Sequence, residues 1–183
     1  MDILVICGSL RKGSFNKAVA KALPSLAPAS MKFTDAPSFA SFPIYNADDQ
    51  EASGIPAAVT AFSDAIRKAD GVIVVTPEYN FSVPGGLKNA LDWVSRIKEQ
   101  PFAEKPVGIM SASGGPVGGA RMQYHLRQVM VFLDARVMNK PEIFVGTAQN
   151  KIDESGKLTD QTTRDFIGKY LAAFEKFAER TKK

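Results

Sequence analysis

The stretch that decides the fold runs from residue 3 to residue 16 and reads Ile-Leu-Val-Ile-Cys-Gly-Ser-Leu-Arg-Lys-Gly-Ser-Phe-Asn. Its first five residues are apolar and mostly β-branched or leucine, which is typical of a central parallel strand covered on both faces. A glycine ends this run, and Phe15, Val19 and Leu23 then recur at intervals of four residues. Ser14 stands at the N-cap position of the helix that this spacing predicts. The stretch therefore predicts a strand, a polar loop and a helix.

The polar loop of this stretch, residues 8–16 or loop 1, carries the donors of an anion-binding site. A helix N-terminus presents unpaired N–H groups and a partial positive charge, so it binds phosphate well. Ser9, Ser14 and Asn16 add neutral hydrogen-bond donors, and a charged donor at Arg11 can be bidentate to phosphate. The alternative interpretation is an ordinary strand-to-helix turn whose polar residues serve solubility.

Two familiar phosphate loops do not match this stretch. The spacing of Gly8 and Gly13 fits a P-loop for nucleoside triphosphates. However, Ser14 and Phe15 stand where that loop needs a lysine and a metal-binding hydroxyl. The dinucleotide fingerprint needs Gly-x-Gly, and only the first of these glycines is present. A single terminal phosphate fits loop 1 better.

The composition limits the chemistry that side chains can supply. The chain has 183 residues, of which 45% are hydrophobic, so we expect one domain over residues 1–183 with a sizeable core. Cys7 is the only cysteine and lies in the apolar strand, so we interpret it as a buried hydrophobic residue. With Cys7 and the single histidine, His125, neither a zinc site nor a catalytic triad is easily built. No metal is predicted, and redox or other demanding chemistry should belong to a bound cofactor.

Charge and hydropathy exclude several classes of partner. The net charge of +4 is modest, and basic residues are scattered apart from the tail at 176–183, so no nucleic-acid partner is predicted. No secretory signal is recognised, and the apolar runs are shorter than the ~20 residues of a bilayer span. We therefore expect a cytoplasmic protein without a membrane partner.

The rest of the chain alternates predicted strands and helices. Strands are predicted over residues 31–34, 71–76, 105–111 and 136–138, with 142–145 as a candidate continuation of the last one past Pro141. Five helices are predicted. The first follows Ser14, the second is capped by Ser53 with Pro56 in its first turn, and the third begins at Pro84. The last two cover residues 120–133 and 160–180. Residues 37–53 are predicted to form an irregular loop that packs over a neighbour or a ligand rim. This alternation predicts a parallel sheet with helices on both faces.

Two further polar loops follow predicted strands, loop 2 over residues 77–86 and loop 3 over residues 113–119. In parallel sheets, ligands bind beyond the carboxyl ends of the strands where the strand order reverses, so all three loops can reach one site. Loop 2 offers an aromatic plane at Tyr79 and a rigid turn at Pro77, and loop 3 allows close backbone approach. A ligand with a phosphate at one end and a flat ring with polar edges at the other is a mononucleotide. Flavin mononucleotide (FMN) is the one that carries redox chemistry, which the side chains of this chain do not supply. Taken alone, Tyr79 can also be a half-buried loop anchor.

Three motifs together resemble a known family: Gly-Ser-Leu-Arg-Lys-Gly-Ser-Phe-Asn at 8–16, Thr-Pro-Glu-Tyr-Asn-Phe-Ser-Val-Pro-Gly-Gly-Leu-Lys-Asn-Ala-Leu-Asp-Trp at 76–93, and Gly-Gly-Ala-Arg at 118–121. The chain resembles, over nearly its whole length, the bacterial NAD(P)H-dependent FMN reductases of the flavodoxin-like quinone and chromate reductase subgroup. This resemblance implies an α/β three-layer sandwich with a five-stranded parallel sheet of order 2-1-3-4-5.

The resemblance also implies the residues that hold FMN. For the phosphate end these are Ser9, Arg11, Ser14, Phe15 and Asn16, and for the ring they are Pro77, Glu78, Tyr79 and Asn80, with Ser113, Gly114 and Gly115 on the far side. NAD(P)H would be the co-substrate of a ping-pong reaction with small electron acceptors. Hydride would pass to N5 of FMN, and no side chain would be a catalytic acid or base.

Further implications concern assembly. The family forms oligomers, so a homodimer or homotetramer is implied, with Arg121, Tyr124 and Glu142 in a polar network between subunits. The alternative for these three residues is a solvated surface.

Two other functions remain open on the sequence. The first is an FMN electron carrier of the same fold that docks to redox proteins, although such carriers are typically acidic and this chain has a net charge of +4. The second is a non-catalytic module of this fold, which would purify without colour.

Overall fold

A computed structural model describes residues 1–181, so the last two residues of the predicted 1–183 domain lie outside the described residues. In this part of the chain, one sheet contains the strands β1 (Asp2–Cys7), β2 (Lys32–Asp35), β3 (Gly71–Val75), β4 (Pro106–Ala112), β5 (Arg136–Val137) and β6 (Ile143–Val145). All pairings are parallel, and the order is β2-β1-β3-β4-β5. The predicted fold class and strand order are confirmed.

The fifth position of the sheet is shared by two short strands. β5 pairs with the start of β4, and β6 pairs with its end, from Met110 to Ala112. Pro141 lies between β5 and β6, where a proline cannot donate to the ladder. The candidate continuation of the strand past Pro141 is therefore confirmed, with a break.

Helices cover both faces of the sheet. Their bounds are α1 (Phe15–Ala22), α2 (Ala47–Ser53), α3 (Ala57–Lys68), α4 (Gly85–Val94), α5 (Ala120–Phe132) and α6 (Gln161–Thr181), with short 3₁₀ turns at Leu23–Ser25 and Ala148–Asn150. Leu4 and Ile6 of β1 belong to one buried cluster, packed with α3, α4 and α5. Ile3 and Val5 belong to the other, packed with α1 and α6. Because successive strand residues point to opposite faces, the continuous apolar run in β1 fills both layers of core.

The segment 37–53 differs from its prediction as a loop without secondary structure. Asn46 accepts a hydrogen bond on its side chain from the Asp48 N–H at 3.0 Å and thereby starts α2. Ser53 is the last residue of α2, so the prediction that it caps the next helix is wrong. Instead, α3 begins after Pro56, which has no N–H to leave unpaired at a helix start.

The aromatic residues of the same segment act as anchors, as predicted. Phe39 and Phe42 are buried and meet the Phe62 ring of α3 edge to face, with centroids 6.3 and 5.8 Å away. The Trp93 indole N–H of α4 donates to the Pro43 carbonyl at 2.8 Å. The segment is thus fixed over α3 and α4, beside the edge where the polar loops lie.

No helix within residues 1–181 combines the length and apolar character needed to span a bilayer.

Candidate functional site

The three polar loops leave the same edge of the sheet, because β1, β3 and β4 are neighbours and run parallel. The ladder continues into the loops: Gly8 N–H donates to the Val75 carbonyl at 2.9 Å, and Thr76 N–H donates to the Met110 carbonyl at 3.1 Å. A Cβ on Gly8 would lie 2.0 Å from Oγ1 of Thr76, so only glycine allows the starts of loops 1 and 2 to approach this closely. The predicted convergence of the loops is therefore confirmed.

Loop 1 leads into α1 with its backbone donors free. Within residues 1–181, none of the backbone N–H groups of residues 9–16 donates a hydrogen bond to another protein group. Ser14 caps α1 as predicted, with its Oγ accepting from the Lys17 N–H at 3.3 Å. A row of unpaired N–H groups before a helix N-terminus is the arrangement that binds a phosphate.

Two predicted phosphate ligands of loop 1 have different surroundings. The Arg11 guanidinium is exposed, donates to the carbonyl of Gly13, and lies 5.6 Å from the centroid of the Phe15 ring. The Asn16 side chain is only 2% exposed and exchanges two hydrogen bonds with the backbone of Ala112, at 2.8 and 2.9 Å. The expectation that the Asn16 side chain is a free donor needs correction, because its amide joins α1 to β4. Only the backbone N–H of Asn16 remains available to an anion.

Loop 2 contains a tight turn in an unusual conformation. Tyr79 and Ser82 exchange backbone hydrogen bonds of 3.1 and 3.0 Å, and Asn80 and Phe81 between them have φ angles of 50° and 64°. Two successive positive φ angles define a type I′ turn, which asparagine tolerates and phenylalanine adopts only at a cost in free energy. Nδ1 of His125 on α5 lies 3.0 Å from Oγ of Ser82. Contacts from outside the loop thus hold a conformation that its own sequence does not favour.

Glu78 connects loop 2 to α5 through its carboxylate. Its Oε2 accepts the Met122 N–H at 3.0 Å, and its Oε1 lies 3.5 Å from Nη1 of Arg121. Gly119 precedes α5 and has no side chain to cap it, so Glu78 takes that role and its charge complements the helix dipole. The same guanidinium lies 4.3 Å from the centroid of the Phe81 ring. The resemblance implied that Glu78 lies at the ring of FMN. Its carboxylate instead faces α5, so only its backbone is available at the rim of the site.

The remaining predicted residues of loop 2 differ in exposure. Pro77 is buried beneath the loop, whereas the Tyr79 side chain is 51% exposed at the rim. The backbone N–H groups of Glu78 and Asn80 have no partner within residues 1–181.

Loop 3 is bonded near its start to β6 and to the residue Thr147 beyond it, while its glycine N–H groups stay free. The Ser113 N–H donates to the Val145 carbonyl and the Thr147 N–H to the Gly115 carbonyl, each at 3.0 Å. Gly114 and Gly115 are exposed, and their N–H groups are unpaired in the described part of the chain. A flat ligand could therefore approach this backbone closely, as predicted for a glycine pair.

A buried network below loop 3 was not predicted. The Gln123 amide of α5 donates to Oγ of Ser111 at 2.7 Å and to the Ile143 carbonyl at 2.8 Å. The Ser111 hydroxyl in turn donates to the Gly118 carbonyl at 2.6 Å. The available signal was Gln123 itself, a polar residue that stands three and seven residues before the apolar Leu126 and Met130 of α5.

The three residues predicted at a subunit interface do not form one network within the chain. The Tyr124 hydroxyl lies 3.4 Å from Oε1 of Glu142, and Lys140 pairs with Oε2 of Glu142 at 2.8 Å. The hydrogen bond from Lys140 lowers the pKa of Glu142. Arg121 lies apart from them, against loop 2.

The donor set of the three loops fits FMN. Loop 1 offers unpaired N–H groups and the Arg11 guanidinium to a dianionic phosphate, while loops 2 and 3 offer free backbone N–H groups and space above glycines to the polar edge of a ring. Sequence comparison agrees with this geometry, because residues 1–150 match the family described as NADPH-dependent FMN reductase. The chain belongs to this family.

Known proteins are similar to this chain over nearly its whole length. A quinone reductase of Escherichia coli K12 is 56% identical over 183 residues, which are 100% of this chain and 97% of that protein. An NAD(P)H-dependent FMN reductase of Pseudomonas aeruginosa is 46% identical over 180 residues, covering 98% and 96% of the two chains. In structure, the chain is similar to the flavoenzyme NAD(P)H:acceptor oxidoreductase FerB of Paracoccus denitrificans, with a TM-score of 0.87, 31% identity and 98% of each chain covered.

These comparisons decide several of the predictions. The predicted family, the oxidoreductase class, and the use of FMN with NAD(P)H are confirmed. The electron-carrier alternative is less supported, since the similar proteins are named quinone reductase and NAD(P)H-dependent FMN reductase.

Proposed function

We propose that this FMN reductase passes electrons from NAD(P)H to quinones and similar small acceptors, with FMN bound across loops 1, 2 and 3. The observation that carries this proposal is the row of unpaired backbone N–H groups at residues 9–16, placed beside two loops whose backbone is also free. Quinone reduction is the activity named for the similar proteins of Escherichia coli and Pseudomonas putida.

The phosphate end is assigned to loop 1. Ser9, the Ser14 backbone and the N–H groups of Phe15 and Asn16 would surround the phosphate, and Arg11 would turn from Gly13 to reach it. This rotation costs little because the guanidinium is exposed. The helix dipole of α1 adds attraction for the negative charge.

The ring end is assigned to loops 2 and 3. FMN would supply there the electron-accepting chemistry that no side chain of the chain offers. Backbone N–H groups of Gly114 and Gly115 are free to donate to a polar ring edge and to stabilise negative charge there. Pro77 and the turn at 79–82 would form the wall of the ring site, and Tyr79 would stand at its open side.

The two substrates would use this open side in turn, which makes the reaction ping-pong. Chromate is a further predicted acceptor of the same type. Steady-state rates with NADH and NADPH, each measured with quinones and with chromate, give the nucleotide preference and the acceptor preference. Parallel lines in double-reciprocal plots are expected for a ping-pong order.

An oligomer is proposed as well, as a homodimer or homotetramer. Tyr124 and the neighbouring Val131 and Phe132 on α5 have exposed fractions of 54, 78 and 73%, so α5 presents a partly apolar face. Tyr124→Ala or Phe132→Ser should reduce the sedimentation coefficient. Arg121→Ala should instead affect loop 2, because Arg121 contacts Glu78 and Phe81 of that loop. An unchanged coefficient in both α5 variants would contradict this assignment. A cytoplasmic location stays a prediction.

One experiment separates the proposed function from its alternatives. The purified protein should show visible flavin absorbance, and anaerobic NADPH should bleach it without any other protein. An electron carrier would keep its colour until a reductase is added, and a non-catalytic module would be colourless even after incubation with FMN.

A further inference from the structure

The turn that follows β6 has an unfavourable backbone conformation next to loop 3. Thr147 has φ 48° and ψ 43°, in the left-handed region that β-branched residues rarely adopt. Two backbone hydrogen bonds to loop 3 hold it there: the Thr147 N–H donates to the Gly115 carbonyl and the Ala148 N–H to the Ser113 carbonyl, each at 3.0 Å. Such conformations persist where surrounding contacts impose them, and they are concentrated at ligand sites. Loop 3 therefore fixes this turn and with it the position of the next residue, Gln149.

The side chain of Gln149 lies against the exposed backbone of loop 3. A Cβ on Gly114 would lie 3.4 Å from Oε1 of Gln149, which is an ordinary van der Waals distance. Within residues 1–181, the Gln149 carboxamide makes no hydrogen bond. Because a carboxamide has both donors and an acceptor, this group is available to a ligand that loop 3 receives.

The same side chain also adjoins loop 1, across a cavity of about 350 Å³. Gln149 lines this cavity together with Gly13, Ser14 and Phe15 of loop 1. The backbone N–H groups of these loop residues belong to the row that is assigned to the phosphate. Gln149 therefore lies between the two ends of the assigned flavin site, with the phosphate loop on one side and Gly114 of the ring loop on the other.

The part of FMN that joins its phosphate to its ring is the ribityl chain, which carries hydroxyl groups. A hydroxyl both donates and accepts, and so does a carboxamide, so the two groups match. A phosphate dianion only accepts, and the carbonyl oxygen of Gln149 would oppose it. Loop 1 already offers the phosphate its unpaired N–H groups and the Arg11 guanidinium. Position and chemistry thus both favour the ribityl chain.

The remaining polar side chains of the cavity suit a hydroxyl less well. Its charged groups either only donate or only accept, and they belong to Lys12, Lys17, Lys21, Asp153 and Glu154. Its serine hydroxyls have other roles, because Ser14 caps α1 and Ser155 donates to Asp153 at 2.6 Å. Among the described residues that line the cavity, Gln149 is the neutral polar side chain without a partner.

We propose that Gln149 binds a ribityl hydroxyl of FMN, so that a fourth segment, residues 147–150, belongs to the flavin site between loops 1 and 3. The proposal rests on the proposed function, because it needs FMN across the same loops. It also accounts for the backbone of Thr147, since the two bonds to loop 3 that impose this conformation place the carboxamide at the ligand.

The test is fluorescence titration of the flavin-free protein with FMN and with FMN analogues that each lack one ribityl hydroxyl. The wild type should bind at least one analogue about fivefold more weakly than FMN, since one neutral hydrogen bond is lost. Gln149→Ala should bind FMN about fivefold more weakly than the wild type does, and it should bind FMN and that analogue alike. The matched control is Asn150→Ala, which removes an exposed carboxamide of the same turn outside the cavity lining and should keep the wild-type affinities.

Equal FMN affinity of the wild type and Gln149→Ala would overturn the proposal. A loss in Gln149→Ala that is the same for FMN and for every analogue would also overturn it, because the side chain would then act on the phosphate, the ring or the fold. A wild-type protein that binds FMN while the variant gives either result keeps the proposed function and loses this contact. A wild-type protein that takes up no FMN loses the proposed function and this contact with it.

Discussion

Loops 1 and 2 form the same site but are held in place in different ways. Loop 1 leaves its backbone donors at 9–16 free. It is held at its start by the close approach of Gly8 to Thr76, and at its end by the Ser14 cap and the bonds of Asn16 to Ala112. Loop 2 has two positive φ angles and depends on α5, which reaches it from Arg121, Met122 and His125. Both halves of the site therefore have tertiary anchors, but only loop 2 needs them to hold an unfavourable backbone conformation.

The junction of the two loops should give the largest effect. Gly8→Val places side-chain carbons within 2.0 Å of Thr76 Oγ1, and we expect a loss of about 3 kcal/mol in the free energy of unfolding together with loss of FMN. Urea unfolding measures the change in the free energy of unfolding, and the flavin content of the purified variant measures the loss of FMN. The matched control is Gly13→Ala, where a Cβ meets nothing within 4 Å, and its free energy of unfolding should change by less than about 0.5 kcal/mol. Equal effects at Gly8 and Gly13 would contradict the close approach.

Arg11 should affect binding without affecting stability. Arg11→Ala should weaken FMN by about 2 kcal/mol, because a charge-assisted hydrogen bond to the phosphate is lost. Fluorescence titration measures this change, and riboflavin, which has no phosphate, should bind wild type and variant alike. An equal loss for both flavins would place Arg11 at the ring and not at the phosphate.

Glu78 should show the opposite pattern. Glu78→Gln weakens the bond to the Met122 N–H and the contact with Arg121, so we expect a loss of about 1 kcal/mol in the free energy of unfolding. FMN and riboflavin should weaken together, since loop 2 loses its support. Glu154→Gln, an exposed glutamate, is the control and should leave the unfolding midpoint in place. Unaltered stability of Glu78→Gln would remove its capping role.

The smallest effect is expected at His125. His125→Ala removes the contact with the Ser82 hydroxyl at 3.0 Å and should cost about 0.5 kcal/mol, as an exposed hydrogen bond does. Hydrogen exchange should become faster at Tyr79 and Ser82, whose N–H groups close the turn, and not in loop 1. Unchanged exchange in loop 2 would show that the turn does not need His125.

The contrast between the loops also explains what the sequence could predict. The strand pattern, the strand order implied by the resemblance, and the Ser14 cap are confirmed, because apolar runs and capping residues act over a few neighbouring positions. The side-chain directions of Asn16 and Glu78 were not predictable. Asn16 bonds to Ala112, which lies 96 residues further along the chain, and Glu78 bonds to Met122, 44 residues further along. The start of α3 after Pro56 was misplaced because Ser53 is an equally plausible cap on sequence alone.

The most direct test of the account compares FMN with riboflavin on the flavin-free wild-type protein. The account assigns the phosphate to the unpaired N–H groups of residues 9–16, so FMN should bind at least about 100-fold more tightly than riboflavin. Equal affinity for the two flavins would contradict it, because the phosphate would then contribute nothing to binding.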